Sequence, residues 1–261
     1  MVDIVTRTAK GSPLTHAELD GNFTNLKAAV ETAVADHYAA AVLADVPYAY
    51  WRLNEAYGTT ALADSSGNGR DATSASTSQQ YPALGAGRLA RYMGSSGMFS
   101  MPSSAAGFAD TGKFTIEVLA RFDASGADFS QIFGIGIAQS SAISGLMLIW
   151  RGNVPRARLW SASAAMVEPV VPFSLPLYEW HHLALVYDGA NLMIYVNGSL
   201  AVSVAAASYM TAAVRSVGGM GKDNWGDPSA TGHFSDLALY STALTADRIA
   251  LHARLAAGAS V

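Results

Sequence analysis

Residues 180–205 constrain the fold more than any other part of the chain. The runs Trp180-His181-His182-Leu183-Ala184-Leu185-Val186-Tyr187 and Asn191-Leu192-Met193-Ile194-Tyr195-Val196 are separated only by Asp188-Gly189-Ala190, and Asn197-Gly198 then leads into Ser199–Ala205. Asp-Gly and Asn-Gly are strong short-range hairpin signals, because a tight reversal needs left-handed backbone that these residues tolerate. Three successive antiparallel strands are therefore predicted. A fourth, Phe114–Phe122, alternates so that Phe114, Ile116, Val118 and Phe122 share one face. Strands and turns at this regular spacing are those of an antiparallel sandwich or barrel.

The length of 261 residues suits one all-β unit, and 51% hydrophobic with 10% aromatic residues supplies a sizeable core. Only 14% of residues are charged, the net charge is −4, and no basic run occurs. That composition excludes a nucleic-acid partner and an anionic membrane surface, both of which call for clustered Lys and Arg. There is no cysteine, so stability must come from the core or from oligomerisation. Residues 1–7 carry no apolar h-region, and synthesis in a cytoplasm without a secretory signal is expected. The uncharged stretch 129–150 is long enough to raise the question of a membrane span. Its Gln131, Gln139, serines and glycines, and its alternating apolar residues, predict two strands and a turn instead, with no membrane insertion.

Before Tyr48 the chain has a different character. Ala17–Leu43 is rich in Ala, Leu, Glu and Lys and predicts a helix, opened by a capping box in which Thr15 faces Glu18 and closed by Pro47. Leu19, Phe23, Leu26, Val30, Ala33 and His37 fall at alternating spacings of four and three, the a/d seam of a coiled coil roughly 35 Å long. Leu with mixed partner residues does not enforce a dimer, and a homotrimer is expected; the alternative is a helix packed on its own β-domain. In a trimer His37 would bring three imidazoles together. The expected division is a helical oligomerisation stalk over residues 1–46 and a β-sandwich over 47–261, whose short last helix, Ala246 to Leu255, is capped by Thr245 and packs through Ile249 and Leu255.

Five segments together resemble the concanavalin A-like, laminin-G-like jelly-roll family. They are Tyr50-Trp51-Arg52-Leu53-Asn54-Glu55 with Asp64-Ser65-Ser66-Gly67-Asn68-Gly69, Phe114-Thr115-Ile116-Glu117, Trp180 to Gly189, Tyr195-Val196-Asn197-Gly198, and Phe234 to Tyr240 with Ala243-Leu244-Thr245. The resemblance spans about residues 48 to 256 and implies two stacked antiparallel sheets. It also implies a structural calcium ion at Glu55, Asp64 and Asp236, although Asp-Ser-Ser-Gly-Asn-Gly is equally the chemistry of a hydrogen-bonded turn. The N-terminus is similar to another group. Lys10-Gly11-Ser12-Pro13-Leu14-Thr15, followed by Glu18-Leu19-Asp20 and Asn22-Phe23, resembles the opening of tailed-phage fibre and appendage proteins. That implies a homotrimeric virion structural protein (tail fibre, head fibre or decoration protein) anchored to other virion proteins by its N-terminal segment.

Catalysis has little to stand on in the sequence. Sugar hydrolysis needs two carboxylates facing one bond, and Glu117, Glu168 and Glu179 each stand apart; there is no Gly-x-Ser-x-Gly elbow and no thiol. His181 and His182 are adjacent on a strand, so they point to opposite faces and cannot readily share a metal ion. Binding has better candidates. Asp223, Asn224, Trp225 and Asp227 form a polar, Gly/Pro-punctuated loop whose Trp offers a stacking surface for a host-surface polysaccharide or, alternatively, tucks onto the sandwich edge. Arg156, Arg158 and Trp160 alternate along a second face that could line a groove or stabilise a trimer contact. The expected protein is thus a non-enzymatic, glycan-attaching or decorating module, the alternative being a bacterial carbohydrate-binding or glycan-cleaving module.

Overall fold

The computed structural model describes residues 4–74, 80–84, 88–94, 99–128, 130–139, 142–160, 165–206, 217–221 and 228–258, without the side chains of 31–36 inside the long helix and of 80, 106, 137–139, 142–144 and 217. A short helix α1 (Arg7–Lys10) and a long helix α2 (His16–Ala44) precede the strands. These are β1 (Ala49–Trp51), β2 (Ala61–Leu62), β3 (Ala72–Ser74), β4 (Gln80–Pro82), β5 (Leu89–Met93) and β6 (Phe99–Ser100). After a 3-10 turn at Ser103–Ala109 come β7 (Phe114–Phe122), β8 (Ser130–Gln139), β9 (Ala142–Arg151), β10 (Val154–Trp160) and β11 (Met166–Val167). The chain ends with β12 (Trp180–Tyr187), β13 (Asn191–Val196), β14 (Ser199–Ala205), β15 (Val217–Met220), β16 (Gly232–Tyr240) and α3 (Ala246–Ala256).

The first sheet runs β14-β13-β12-β7-β16-β5-β4, with β1 also on β16; the second runs β11-β10-β9-β8-β15-β6-β3-β2. Ladders between these strands are antiparallel throughout. Phe114, Ile116, Val118 and Phe122 face the second sheet as expected, and Phe122 stacks on Trp150 at 3.7 Å between ring centres. The uncharged stretch forms β8 and β9 of the second sheet, and among the described residues no helix is long and apolar enough to cross a membrane. At the hairpins Gly189, Asn197 and Gly198 take positive φ, whereas Asp188 contributes differently: its carboxylate accepts the N–H groups of Ala190 and Asn191.

Helix α2 starts and stops within a residue of the expected bounds, and both halves of the Thr15–Glu18 capping box are present. Its packing is less uniform. Tyr38, Ala39 and Val42 are buried in a cluster with Tyr50, Leu119, Ala238, Tyr240, Leu255 and Ala256, on the outer side of the first sheet. The helix ends at the expected boundary, but the packing unit of the sandwich begins inside it, near Tyr38. Residues 16–37 precede that contact, and Leu19, Phe23, Leu26 and Val30 are 38, 70, 54 and 54% exposed. His37 is exposed as well, and the side chain of Ala33 lies outside the described residues. His37 of the seam and Tyr38 of the sandwich-facing set differ by one position, about 100° around the helix, and among the described residues Leu19 to Val30 of the seam are left uncovered.

The segment before α2 folds back on it. Asn22 joins Val5 twice, its Oδ1 accepting the Val5 N–H at 2.8 Å and its Nδ2 donating to the Val5 carbonyl at 2.7 Å. Lys10 pairs with Glu18, and Gly11 closes α1 at φ 72°, where only glycine is unstrained. Lys10, Gly11, Thr15, Glu18 and Asn22 are thus the residues that fold the N-terminal segment into a compact hook.

Candidate functional site

Two clusters of charge lie on the outer side of the first sheet. In one, Glu117 of β7 accepts from Tyr240 at 3.1 Å, meets His252 Nδ1 at 2.9 Å and faces His182 Nε2 at 3.5 Å. The opposite ring nitrogen of His252 faces Asp45, the residue that ends α2, at 3.3 Å, and Arg248 donates to Asp45 at 2.8 Å. Burial alone would raise the Glu117 carboxyl, but the hydrogen bonds and fields of His182 and His252 hold it at about 2. Burial lowers His252, and Glu117 and Asp45 outweigh it to leave the ring above its ordinary value. This carboxylate–imidazole set looks like acid–base machinery, yet Glu117 and His252 have no exposed surface beneath α2 and α3. It is a clamp that fixes both helices to the sheet. His181, on the other side of the same strand, faces the Pro176 carbonyl, so the two histidines do diverge.

The second cluster disperses the acids expected to share a calcium ion. A bulge in β16 puts Asp236 at φ 54° and aims it under α2, where it is completely buried. There it accepts from Tyr50 and meets Arg88 at 3.3 Å, and Arg88 lies over the ring of Tyr38. Asp64 instead organises its own loop: its carboxylate accepts the backbone N–H groups of Tyr50, Ser66 and Arg70 at 3.0, 3.0 and 2.9 Å. Partial burial raises that carboxyl, and these donors outweigh it. Glu55 faces Arg91 and accepts from the Ala63 N–H. Among the described residues no group of three or more His, Asp or Glu is placed to hold a metal ion, so the trio does not fit one. Three backbone N–H groups engage Asp64, and arginine already supplies the positive charge at Glu55 and Asp236. Chelator is accordingly expected to leave the melting curve unchanged; a loss of several degrees that added calcium restores would contradict this.

With α2 and α3 over the first sheet, part-exposed side chains of the second sheet's outer side lie along β10, while Gln131, Met147 and Ile149 at its centre are buried. Cross-strand register fixes what shares that side. Arg156 lies opposite Ile149, which lies opposite Gln131; Arg158 lies opposite Met147, then Gly134, Gly219 and Ser100. Burial alternates along β10, with Arg156, Arg158 and Trp160 on the outer side as expected. A partner that the sequence did not single out completes the group. Glu168 accepts from Arg158 Nε at 2.6 Å and from Arg156 Nη1 at 3.3 Å. It sits just beyond β11, and only the pairing of β10 with β11 brings it to the two arginines.

Asp223, Asn224, Trp225 and Asp227 lie outside the described residues. Both ends of their segment are nevertheless fixed beside this face. Ser229 Oγ donates to the Gly221 carbonyl at 2.7 Å, Gly221 N–H donates to the Ile132 carbonyl, and Gln131 N–H donates to the Pro228 carbonyl at 2.8 Å. Gly221 has φ 59°, and a Cβ there would come within 2.8 Å of Ser229, so the closure requires glycine. Gln131 is two strands from Arg156, about 10 Å across a sheet. The loop therefore leaves and rejoins the fold next to the arginine-bearing face.

A family model described as the concanavalin A-like lectin/glucanases superfamily matches residues 93–250. No curated protein matches the chain. Among solved structures the chain is similar to domain 4 of an extracellular arabinanase from Geobacillus stearothermophilus in complex with arabinotriose, at 21% identity and TM-score 0.60, over 79% of this chain and 98% of that one. It is similar to Trypanosoma rangeli sialidase in complex with sialic acid, at 16% identity and TM-score 0.59, over 79% of this chain and 32% of that one. It is also similar to the binding domain of botulinum neurotoxin DC in complex with rat synaptotagmin II, at 17% identity and TM-score 0.60, over 81% of this chain and 52% of that one. The chain thus spans nearly all of the arabinanase domain, a third of the sialidase and about half of the neurotoxin fragment. At these identities the likeness is one of fold.

Proposed function

The chain belongs to the concanavalin A-like lectin/glucanases superfamily, and from that premise we propose that it is a non-enzymatic, glycan-attaching display protein of a bacteriophage particle, built as a homotrimer on its N-terminal helix. The observation that carries this reading is the division of α2. Its last two turns are sealed to the sandwich, while Leu19, Phe23, Leu26 and Val30 stay exposed at coiled-coil spacing. A partner helix is what such a seam buries, and two further copies of the chain supply it in register. The hook ahead of it, built from the residues that resemble phage appendage proteins, stands at the free end of the stalk and would meet the other virion proteins. Tail fibre, head fibre and decoration protein all fit that arrangement.

The sandwich then presents the β10 edge of the second sheet's outer side and the loop bearing Trp225. Binding without cleavage fits the acids described above. Glu168 is engaged between two arginines, and Glu117 and Asp236 are buried under helices, whereas hydrolysis calls for two carboxylates within about 5 to 10 Å of each other across an accessible bond. Trp225→Ala is expected to weaken retention of the intact protein on host surface polysaccharide about ten-fold or more, with the melting temperature unchanged, because stacking on an aromatic ring is what the change removes. Retention that is indifferent to Trp225→Ala would move the binding site off that loop.

A further inference from the structure

Resting on the glycan-binding reading, we propose that the β10 edge of the second sheet's outer side selects acidic saccharides, with the carboxylate of a uronic or sialic residue received at Arg156 and Arg158. The two guanidinium groups lie at alternate positions of one strand, 24 and 15% exposed, so they are accessible yet partly withdrawn from water. Partial desolvation strengthens a charge-assisted hydrogen bond without forbidding entry of a ligand. Glu168 already shows what the pair accepts, since its two oxygens are divided between Arg158 Nε and Arg156 Nη1. One carboxylate is shared by two guanidinium groups, and Arg156 Nε is buried with no hydrogen-bond partner among the described residues. The other charged side chain on the described strands of this face, Arg151, is met by Asp128. Among the described strand residues this side is otherwise uncharged, and its centre, from Ile149 and Met147 to Gly134 and Gly219, is buried, so the accessible part is the β10 edge.

One feature fits a sugar acid better than a neutral sugar, and an aromatic neighbour supports either. The planar fork of arginine matches a carboxylate in two hydrogen bonds, which a hydroxyl cannot supply. Trp160, next along the same side of β10, adds an aromatic surface for the pyranose ring.

The test uses the intact chain on immobilised polygalacturonate, hyaluronan and polysialic acid, with methyl-esterified pectin and dextran as neutral counterparts. Retention on at least one carboxylated polymer and not on its neutral counterpart is expected, weakened about ten-fold by Arg156→Gln and by rising sodium chloride. Glu168→Gln keeps the shape of the side chain and removes the internal competitor, so it should strengthen retention. A purely structural role for the Arg–Glu–Arg group predicts the opposite sign, which keeps the proposal testable even if Arg158→Gln fails to fold. Equal retention on neutral polymers, unmoved by Arg156→Gln and Glu168→Gln, would overturn the acidic specificity and leave glycan binding standing. No retention on any of the five polymers or on host surface polysaccharide would overturn both.

Discussion

Glu117→Ala should lower the stability of the fold by about 3 to 5 kcal/mol, the usual loss when one member of a buried charged group is removed. The carboxylate is the hub of the clamp: without it His252 is left facing Asp45 alone, and the Tyr240 hydroxyl loses its acceptor inside the fold. The clamp also carries a pH signature. Glu117 is held at about 2 against an ordinary 4.5, so its contribution is complete above pH 4.5 and is lost as pH falls toward 2. His252 is raised above 6.5, so its contribution is complete below that value and is lost as pH rises through the folded-state pKa. The groups facing it are Glu117 from β7, Asp45 at the end of α2 and Arg248 on α3, with the Tyr38 ring edge-on. Chemical denaturation at fixed protein concentration checks both points. The stability gap between the unaltered chain and His252→Gln should be largest between pH 4.5 and 6.5 and should narrow at alkaline pH. A Glu117→Ala chain as stable as the original, or a gap independent of pH, would contradict the clamp.

A second large effect is expected in the stalk. Phe23→Asp combined with Leu26→Asp should convert the trimer to monomers while the sandwich keeps its melting transition. Both side chains are more than half exposed in the single chain, so their replacement removes nothing from its core. In a trimer the same two changes would place six carboxylates in a desolvated seam, at a cost no seam of about three heptads could offset. Light scattering on the intact chain checks this directly. A monomer before any substitution would contradict the trimer, and a trimer that survives the double change would place its contacts outside the seam.

The parts of this fold legible in the sequence are those governed by local chemistry. Asp188-Gly189 and Asn197-Gly198 force their reversals wherever they stand, and the Thr15–Glu18 box and the Thr245 cap define helix starts through contacts three residues away. Two-residue strands such as β2, β6 and β11 have no periodicity to read and exist only through their neighbours. The docking of Tyr38 and Val42 was equally hidden. Helical spacing reveals an apolar seam, but the face that meets the sheet depends on a surface built 80 to 200 residues later, from Leu119, Ala238 and Tyr240. The site follows the same rule. Alternation along β10 exposes Arg156, Arg158 and Trp160, whereas Glu168 joins them only through the register of β11. Glu55, Asp64 and Asp236 came from family resemblance, and what separates them is the particular supply of donors in this chain: backbone N–H groups at Asp64, Arg91 at Glu55, Arg88 and Tyr50 at Asp236.

Display without degradation is the central claim, and one incubation tests it most directly. Host surface polysaccharide is mixed with the purified intact chain, and retained protein and newly formed reducing sugar ends are measured in the same samples over time. Saturable retention with reducing ends no higher than in the polysaccharide alone is the predicted result. A steady rise in reducing ends proportional to protein concentration would contradict it and make the chain a glycan-cleaving enzyme.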